Sequence, residues 1–456
     1  MHKAHATSTR AYAACRSLRT CKMPPLGASR ACKTGADCAG HNGECVAGRC
    51  VCHPGWEGDI CGTVSFIARS ASRAFLSRLW TWGGSIARAD DGLVHMFASE
   101  LTNDCGILHY CSNSRVIHLT ASHPLGPYER RGVALSPRAP PAWDSGAIHG
   151  PTLHRISSRL WALYFMATRD TWSAAGGAHH PNCTAAVDPQ QGDRATRRLG
   201  VAMAPTPWGP WTRRDKPLFG PGNRSAGEWD WLDVSNVTPI FLRNGTVVLL
   251  YKGRGHTQAM GSAAAPHFDG PFVRTSPTRP VLSTAVEDTW GWVQRASSPA
   301  NATASSLANA TASWGGASAR GSSSAAPGGA DSRSHPEVLH VLSHVGNGAS
   351  AAGGHAWSYD GVRWVDTTGA NAAYTGRVRW ASNASSVLYR RERPQVLLRP
   401  AAGAAGRDGA SPGDSYGVPA VLCTSAQQEP CPHDGGPERE TKECRSFTMC
   451  EAIAVE

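Results

Sequence analysis

The chain has 456 residues and a formal net charge of +11, from 45 Lys+Arg against 34 Asp+Glu, with no run of five or six basic residues. That scatter argues against a nucleic-acid partner and toward an acidic polysaccharide or cell-wall surface, if the charge serves a partner rather than solubility. No stretch approaches the ~18 apolar residues that cross a bilayer as a helix, and 49 glycines with 31 prolines favour a turn-rich β fold, one large unit plus small modules.

Residues 1–31 read as an N-terminal segment, partly disordered. The opening MHKAHATSTRAYAAC lacks the apolar core of a signal peptide. Fifteen cysteines, eight of them within the first 61 residues (Cys15, Cys21, Cys32, Cys38, Cys45, Cys50, Cys52 and Cys61), nevertheless point to disulfides and an oxidising compartment. The expectation is an extracellular or secretory protein whose true start is missing or misassigned. Seven Asn-x-Ser/Thr sequons agree: Asn182, Asn223, Asn244, Asn301, Asn309 and Asn383 as glycosylation sites, and Asn236.

Residues 32–61, CKTGADCAGHNGECVAGRCVCHPGWEGDIC, hold six cysteines separated by 5, 6, 4, 1 and 8 residues. Thirty residues bury too little apolar surface to fold alone, so covalent bridges substitute for a core. Spacing leaves fifteen connectivities open and contains no pair of Cys-x2-Cys units for zinc. Gly55, Trp56 and Gly58 between Cys52 and Cys61 suit a small hairpin, with Trp56 expected to cover the exposed disulfide. The segment resembles an EGF-like domain, and the resemblance implies Cys32–Cys45, Cys38–Cys50 and Cys52–Cys61. The stretch before Cys32, GASRA, lacks the oxygen ligands of calcium-binding members, so no metal is expected. Such a module serves as a spacer or a protein contact. Residues 62–79 read as a linker.

From residue 80 a repeat appears. Each of HPLGPY (123–128), TPWGPW (206–211) and HFDGPF (267–272) follows a strand of small residues: RVIHLTAS (115–122), LGVAMAP (199–205) and MGSAAAP (260–266). A fourth such strand, GGHAWSYDG (353–361), continues into VRWV. Paired strands precede each, with Asp91-Gly92 and Asn244-Gly245 turns. A fifth unit runs from RPQVLLRP through GVPAVLC to SFTMCEAI (446–453). Repeats of this length built from four short strands predict propeller blades, five of them, over 80–455; a β-sandwich is the competing architecture. Residues 295–335 are an Ala/Ser/Gly-rich insertion that reads as a flexible loop. Cys105 and Cys183 sit in long loops of blades one and two and are candidates for a bridge, Cys111 competing; Cys423, Cys431, Cys444 and Cys450 are expected to pair among themselves.

WGGSIARADDGLVHMFASE, GVAMAPTPWGPW, VEDTWGW, GGHAWSYDGVRW and RRERPQVLL together resemble the five-bladed β-propeller glycoside hydrolases of the arabinanase, xylosidase and furanosidase class. The fold class implied is all-β. Catalytic members of that class invert the anomeric centre with a base Asp on the innermost strand of blade one, a tuning Asp on blade three and an acid Glu on blade four, carboxyls about 6.5–9.5 Å apart to admit water. Aligned blade by blade, the first position falls on Gly83 and the second on Asn236; Glu287 alone stands as the acid, with Thr289 where Pro is usual. Asp233 is the first substitute base, Asp144 and Asp288 following.

Trp82, His149, Asn236, Asp288, His355 and Arg393 are expected at the same mouth as ligand-binding groups, although Arg393 could equally pair with Glu392 or Asp288. The two histidines read as hydrogen-bonded channel residues rather than metal ligands, and no cofactor is expected. The leading reading is a secreted or cell-surface carbohydrate-binding protein of glycosidase descent. The alternatives are an inverting glycosidase acting on plant- or algal-type polysaccharide through Glu287, and an adhesive extracellular protein.

Overall fold

Five antiparallel sheets, four of four strands and one of five, follow one another along the chain, each running from an innermost strand at a common axis to an outer edge. The computed structural model describes residues 31–103, 105–169, 197–282, 286–296, 336–345, 352–368, 372–399, 416–429 and 446–455. Blade one comprises Thr81–Arg88, Val94–Leu101, Ser114–Ala121 and Glu129–Leu135; blade two Ala147–Ser157, Leu160–Thr168, Arg198–Ala204 and Thr212–Arg213. Blade three comprises Asp233–Phe241, Val247–Arg254, Gln258–Ala265 and Val273–Arg274. Blade four has Val286–Arg295, Glu337–Val345, Ala352–Ser358 and Val365–Asp366, with Tyr374–Thr375 added beside its third strand. The fold is the all-β five-bladed propeller anticipated from the turn pattern.

Blade five contains Arg390–Arg399, Val418–Gln427 and Phe447–Ala452, and its fourth strand is Ser72–Phe75, from upstream of blade one. Residues 62–79 are therefore no free linker. Thr448 pairs with Phe75 and Cys450 with Ser72, so backbone hydrogen bonds join the two ends of the propeller sequence and close the ring.

The Gly-Pro-aromatic segments are the turns between third and fourth strands of blades one to three, at Gly126-Pro127, Gly209-Pro210 and Gly270-Pro271. The small residues before them leave room for aromatic rings from neighbouring strands. A Cβ on Gly261 would stand 2.5 Å from the Tyr251 ring, and Tyr251 is fully buried among Val234, Leu249 and Phe219 between blades two and three. Overpacking of that kind costs about 1–3 kcal/mol. Further apolar layers fill the remaining blade interfaces, such as Ile240, Leu250 and Met260 with Val293 and Val341 between blades three and four.

The cysteine-rich module forms a hairpin, Gly43–Val46 with Arg49–Cys52, and a second pair, Trp56–Glu57 with Thr63–Val64. Its bridges are Cys32–Cys45, Cys38–Cys50 and Cys52–Cys61, the pairing the resemblance implied. Trp56 shares one apolar layer with the cysteines of its own module, Cys52 and Cys61 among them, and with residues of blade four. It is buried against blade four, stacked on Trp292 with ring centroids 6.1 Å apart and planes 17° from parallel, and tilted against His355 at 5.2 Å. Apolar burial favours the contact with blade four, since an indole gains more from a face of aromatic rings than from a sulfur pair alone. Val64 N–H donates to Ala373 O at 2.8 Å, Gln294 Nε2 to His41 O at 3.1 Å, and Gly40 sits so close to Trp357 that a Cβ would lie 2.3 Å from its ring.

Cys423 and Cys450 are bridged directly across two strands of blade five; Cys431 and Cys444 lie outside the described residues. Cys105 is disulfide-bonded, while Cys183, its expected partner, lies outside the described residues. So do most of 295–335 and the sequons at Asn182, Asn301 and Asn309. Asn223, Asn244 and Asn383 are exposed.

Candidate functional site

Each of the five innermost strands breaks its register at one equivalent place near its start. The breaks fall between Trp82 and Ser85, His149 and Thr152, Ser235 and Thr238, Glu287 and Trp290, and Glu392 and Gln395. In every break the first residue turns left-handed: Gly83 (φ 82°), Gly150 (φ 63°), Asn236 (φ 51°), Asp288 (φ 53°) and Arg393 (φ 51°). Glycine adopts that conformation freely, and Asn and Asp tolerate it. Arg393 does not, so the surrounding fold holds it there against its own preference.

These five bulge residues form a ring of pseudo-fivefold equivalents around the axis, and Arg393 spans it. Its Nη1 donates to Asn236 Oδ1 and to Asp288 Oδ1, both at 3.1 Å. A Cβ on Gly150 would lie 2.5 Å from its Nη2, and one on Gly83 would have Nε, at 3.8 Å, as its nearest neighbour. The ring thus brings together Asn236, Asp288 and Arg393 of the expected residues. It also makes Asp288, not Glu287, the blade-four equivalent of Gly83 and Asn236.

A second layer comes from the second strands, whose residues opposite the breaks are Ser99, Met166, Lys252, His344 and Ser425. Four of these reach the next blade around the axis. Ser99 Oγ accepts from Gly150 N–H at 2.9 Å and Ser425 Oγ from Gly83 N–H at 2.5 Å. Lys252 Nζ donates to Glu287, and His344 Nε2 lies 3.8 Å from Glu392 Oε1.

Glu287 is one-quarter exposed, with His344 Nδ1 3.5 Å from its Oε1. Burial alone would raise its pKa, but the charges of Lys252, His344 and Arg393, with the Lys252 hydrogen bond, carry it below the ordinary carboxylate value. A proton donor needs the reverse. Glu392 shows the reverse: burial, reinforced by the nearby Asp288 and Glu287 charges, outweighs His344 and Arg390 and pushes it up. Its Oε1 has no hydrogen-bond partner among the described residues.

Other expected residues stand elsewhere or are already engaged. Asp233, the substitute base, is buried between Arg197 Nη2 at 2.7 Å and Arg254 Nε at 3.2 Å. Asp144 is sealed by Arg138 at 2.6 Å and by Arg213, in the outermost strand of blade two, at 2.9 Å. Trp82 is packed with Trp80, Leu101 and Ile107 and is only 3% exposed, which leaves no ring face for a sugar. His149 is buried, its Nδ1 2.9 Å from Ser114 Oγ and its ring 5.2 Å from Tyr110; burial first, then the Arg393 charge, hold it neutral.

His355 is not at the mouth. It lies on the third strand of blade four beneath the cysteine-rich module, with His340 Nδ1 3.1 Å from its Nε2. The repeat position was read correctly, but strand order carries it away from the axis.

Lys252, His344, Ser99 and Ser425 escaped the sequence reading, and Glu392 was anticipated only as a partner for Arg393, which pairs with Asp288 instead. The signal for them is the hairpin register, counted outward from each left-handed residue. One oxygen each of Asp288 and Glu392 and one nitrogen of His344 lie within 4.8 Å of one another, a donor set that could hold a divalent cation.

No protein-family model matches this chain, and no curated protein does. Among solved structures, a family 117 glycoside hydrolase produced by the marine bacterium Zobellia galactanivorans is similar at 13% identity over 87% of this chain and 91% of that chain, with a TM-score of 0.51. A GH62 hydrolase in complex with xylotriose aligns at 9% identity over 86% and 98% of the two chains, TM-score 0.48. A fructan 1-exohydrolase IIa from Cichorium intybus aligns at 11% over 82% of this chain but only 56% of its own, TM-score 0.47. At these identities the likeness concerns the fold, and it rests on the first of the three.

Proposed function

We propose that the chain is a carbohydrate-binding protein of glycoside-hydrolase descent, and that its propeller channel holds one end of a saccharide without cleaving it. The observation that carries this reading is the bulge ring. Its five equivalent positions hold Gly83, Gly150, Asn236, Asp288 and Arg393, so that a single carboxylate remains, and Arg393 already engages it. Inverting hydrolysis needs two carboxyls in different protonation states facing one bond. Glu287, the expected acid, and Asp233, the expected substitute base, are held by cations instead. The donors and acceptors of Arg393, Asn236, Lys252 and Glu287 suit the hydroxyls of a sugar ring. The fold shared with a family 117 glycoside hydrolase supports a saccharide as the ligand class. The disulfides and exposed sequons support an extracellular or secretory setting.

Glu392 favours a second reading. It is a buried carboxyl near the axis whose pKa is raised, the property of a general acid. A hydrolase built on this channel would use Glu392 rather than Glu287. Two measurements separate the readings: a glycan array for binding, and release of reducing ends from arabinan and xylan. Binding without release supports the first. Release that Glu392→Gln abolishes establishes the second, and no binding to any saccharide defeats both.

A further inference from the structure

Arg393 is 5% exposed, and its hydrogen bonds use one corner of the guanidinium. Nη1 serves both Asn236 and Asp288, while no acceptor among the described residues meets Nε or Nη2. A guanidinium offers five N–H groups in a planar fork matched to an oxyanion. Beside its Nε edge lies the space above Gly83. Around the point where a Cβ would stand, Arg393 Nε is the one atom within 4 Å among the described residues, the glycine's own chain neighbours aside, whereas the equivalent point at Gly150 is filled by the guanidinium itself.

The two serines that accept from the ring glycines each keep a hydroxyl proton to donate. Ser425 Oγ is occupied as an acceptor by Gly83 N–H and Ser99 Oγ by Gly150 N–H, and neither hydroxyl proton has an acceptor among the described residues. The negative charges near the axis are compensated or turned away. Asp288 sits on the opposite corner of the guanidinium, and Lys252 answers Glu287. Burial, the largest influence on Glu392, moves it toward its neutral form, and burial keeps His149 uncharged.

We propose that the gap beside Gly83, floored by the free edge of Arg393, seats the acidic group of a saccharide: an oxyanion carried on the sugar ring as a carboxylate or a sulfate ester. This rests on the saccharide-binding role proposed above and names its substrate class. The ligand brings the negative charge that the fold no longer supplies at position 83. A charge-assisted, two-point contact in a partly desolvated channel is worth about tenfold or more in affinity over a neutral sugar. The net charge of +11 acts independently and at longer range, drawing polyanions toward the surface.

The test uses matched pairs of ligands on the full chain by calorimetry. Oligogalacturonate is compared with its methyl ester, and a sulfated galactan oligosaccharide with its desulfated form, each at about 0.15 M and 0.5 M salt, where surface attraction is screened. The expected result is an acidic member bound at least about tenfold more tightly than its neutral partner at both salt levels, with the pair that responds identifying carboxylate or sulfate. In Gly83→Asp, which puts a carboxylate into the gap, the ratio should fall below about threefold. Equal binding of both members overturns the inference while leaving saccharide binding intact; no binding by any of the four removes the underlying reading as well. A preference that vanishes in high salt, or that survives Gly83→Asp unchanged, belongs to the basic surface and also overturns it. Thermal melts of Gly83→Asp confirm folding, and Arg393→Lys, which keeps the charge but loses the fork, gives a second reading of the same ratio.

Discussion

The indole of Trp56 lies on that of Trp292, centroids 6.1 Å apart and planes 17° from parallel, so a ring from the cysteine-rich module closes over a ring from the innermost strand of blade four. Both are buried, within one apolar layer that includes Leu342, Val396 and Ile453.

Trp56→Ala should therefore destabilise the propeller, not only the module. Truncating a buried Trp costs about 3–5 kcal/mol, which corresponds to a fall in Tm of roughly 5–15 °C for a domain of a few hundred residues. Non-reducing peptide mapping should still find Cys32–Cys45, Cys38–Cys50 and Cys52–Cys61. A Tm within one or two degrees of wild type would mean that the module contributes nothing to the fold it touches.

Removing the Arg393 charge while keeping Asp288 leaves a buried carboxylate without its cation. Arg393→Met should cost about 3–5 kcal/mol in urea unfolding. Adding Asp288→Asn should recover most of that loss. If the double variant is as unstable as the sum of the two single ones, the pair is not the unit described.

Stability should decline on acidification. Burial lowers His154 and His355 to about 3 in the folded chain, against 6.5 unfolded. The unfolded state then binds protons first, so stability is fully present above pH 6.5 and is lost as pH falls toward 3. Each histidine contributes about 1.4 kcal/mol per pH unit inside that window. Urea midpoints at pH 7 and pH 5 read the slope. His154→Leu gives up no hydrogen bond, since neither ring nitrogen has a partner among the described residues, and should flatten the slope by one proton. An unchanged slope would remove His154 from the account.

Glu287→Gln keeps shape and most hydrogen-bonding capacity, so saccharide affinity should move by less than about tenfold. Should the wild type hydrolyse a glycan, Glu392→Gln should lose 10²–10⁴-fold in rate, the ordinary contribution of a general acid, and exceed the loss in Glu287→Gln. The opposite ranking would return the acid role to Glu287.

Arg295 pairs with Glu337 at the end of the first hairpin of blade four, so the ends of the intervening segment are neighbours. Replacing residues 297–335 with a short Gly-Ser turn should leave Tm within a few degrees, because loop closure grows only slowly with length. A larger fall would assign that segment a place in the core.

The blades were legible because turn chemistry is local. Asp91-Gly92, Asn244-Gly245 and the three Gly-Pro-aromatic segments each announce a strand ending. The closing strand was not, since Ser72–Phe75 is four residues with a mixed pattern whose partner lies more than 370 residues away. Three members of the bulge ring, Asn236, Asp288 and Arg393, were anticipated at the mouth, and the Arg393–Asp288 pair was one of two weighed for that arginine, although neither their left-handed backbone nor the contact with Asn236 can be read from the sequence. Lys252 with Glu287, and His344 with Glu392, were invisible because cross-blade neighbours depend on register and on which blade follows around the axis. His355 and Trp82 were misplaced for a related reason: an apolar or imidazole residue near a repeat boundary looks the same whether it faces a channel or a core.

The docking of Trp56 and the pairing of Ser72–Phe75 with Phe447–Ala452 set an order of events during synthesis. The residues that leave the ribosome early find their partners only after blades four and five exist, so the finished ring cannot be approached one blade at a time. Until then an indole and a short strand travel uncovered. The bridges of the module can close at once, within thirty residues, which keeps that stretch compact while it waits.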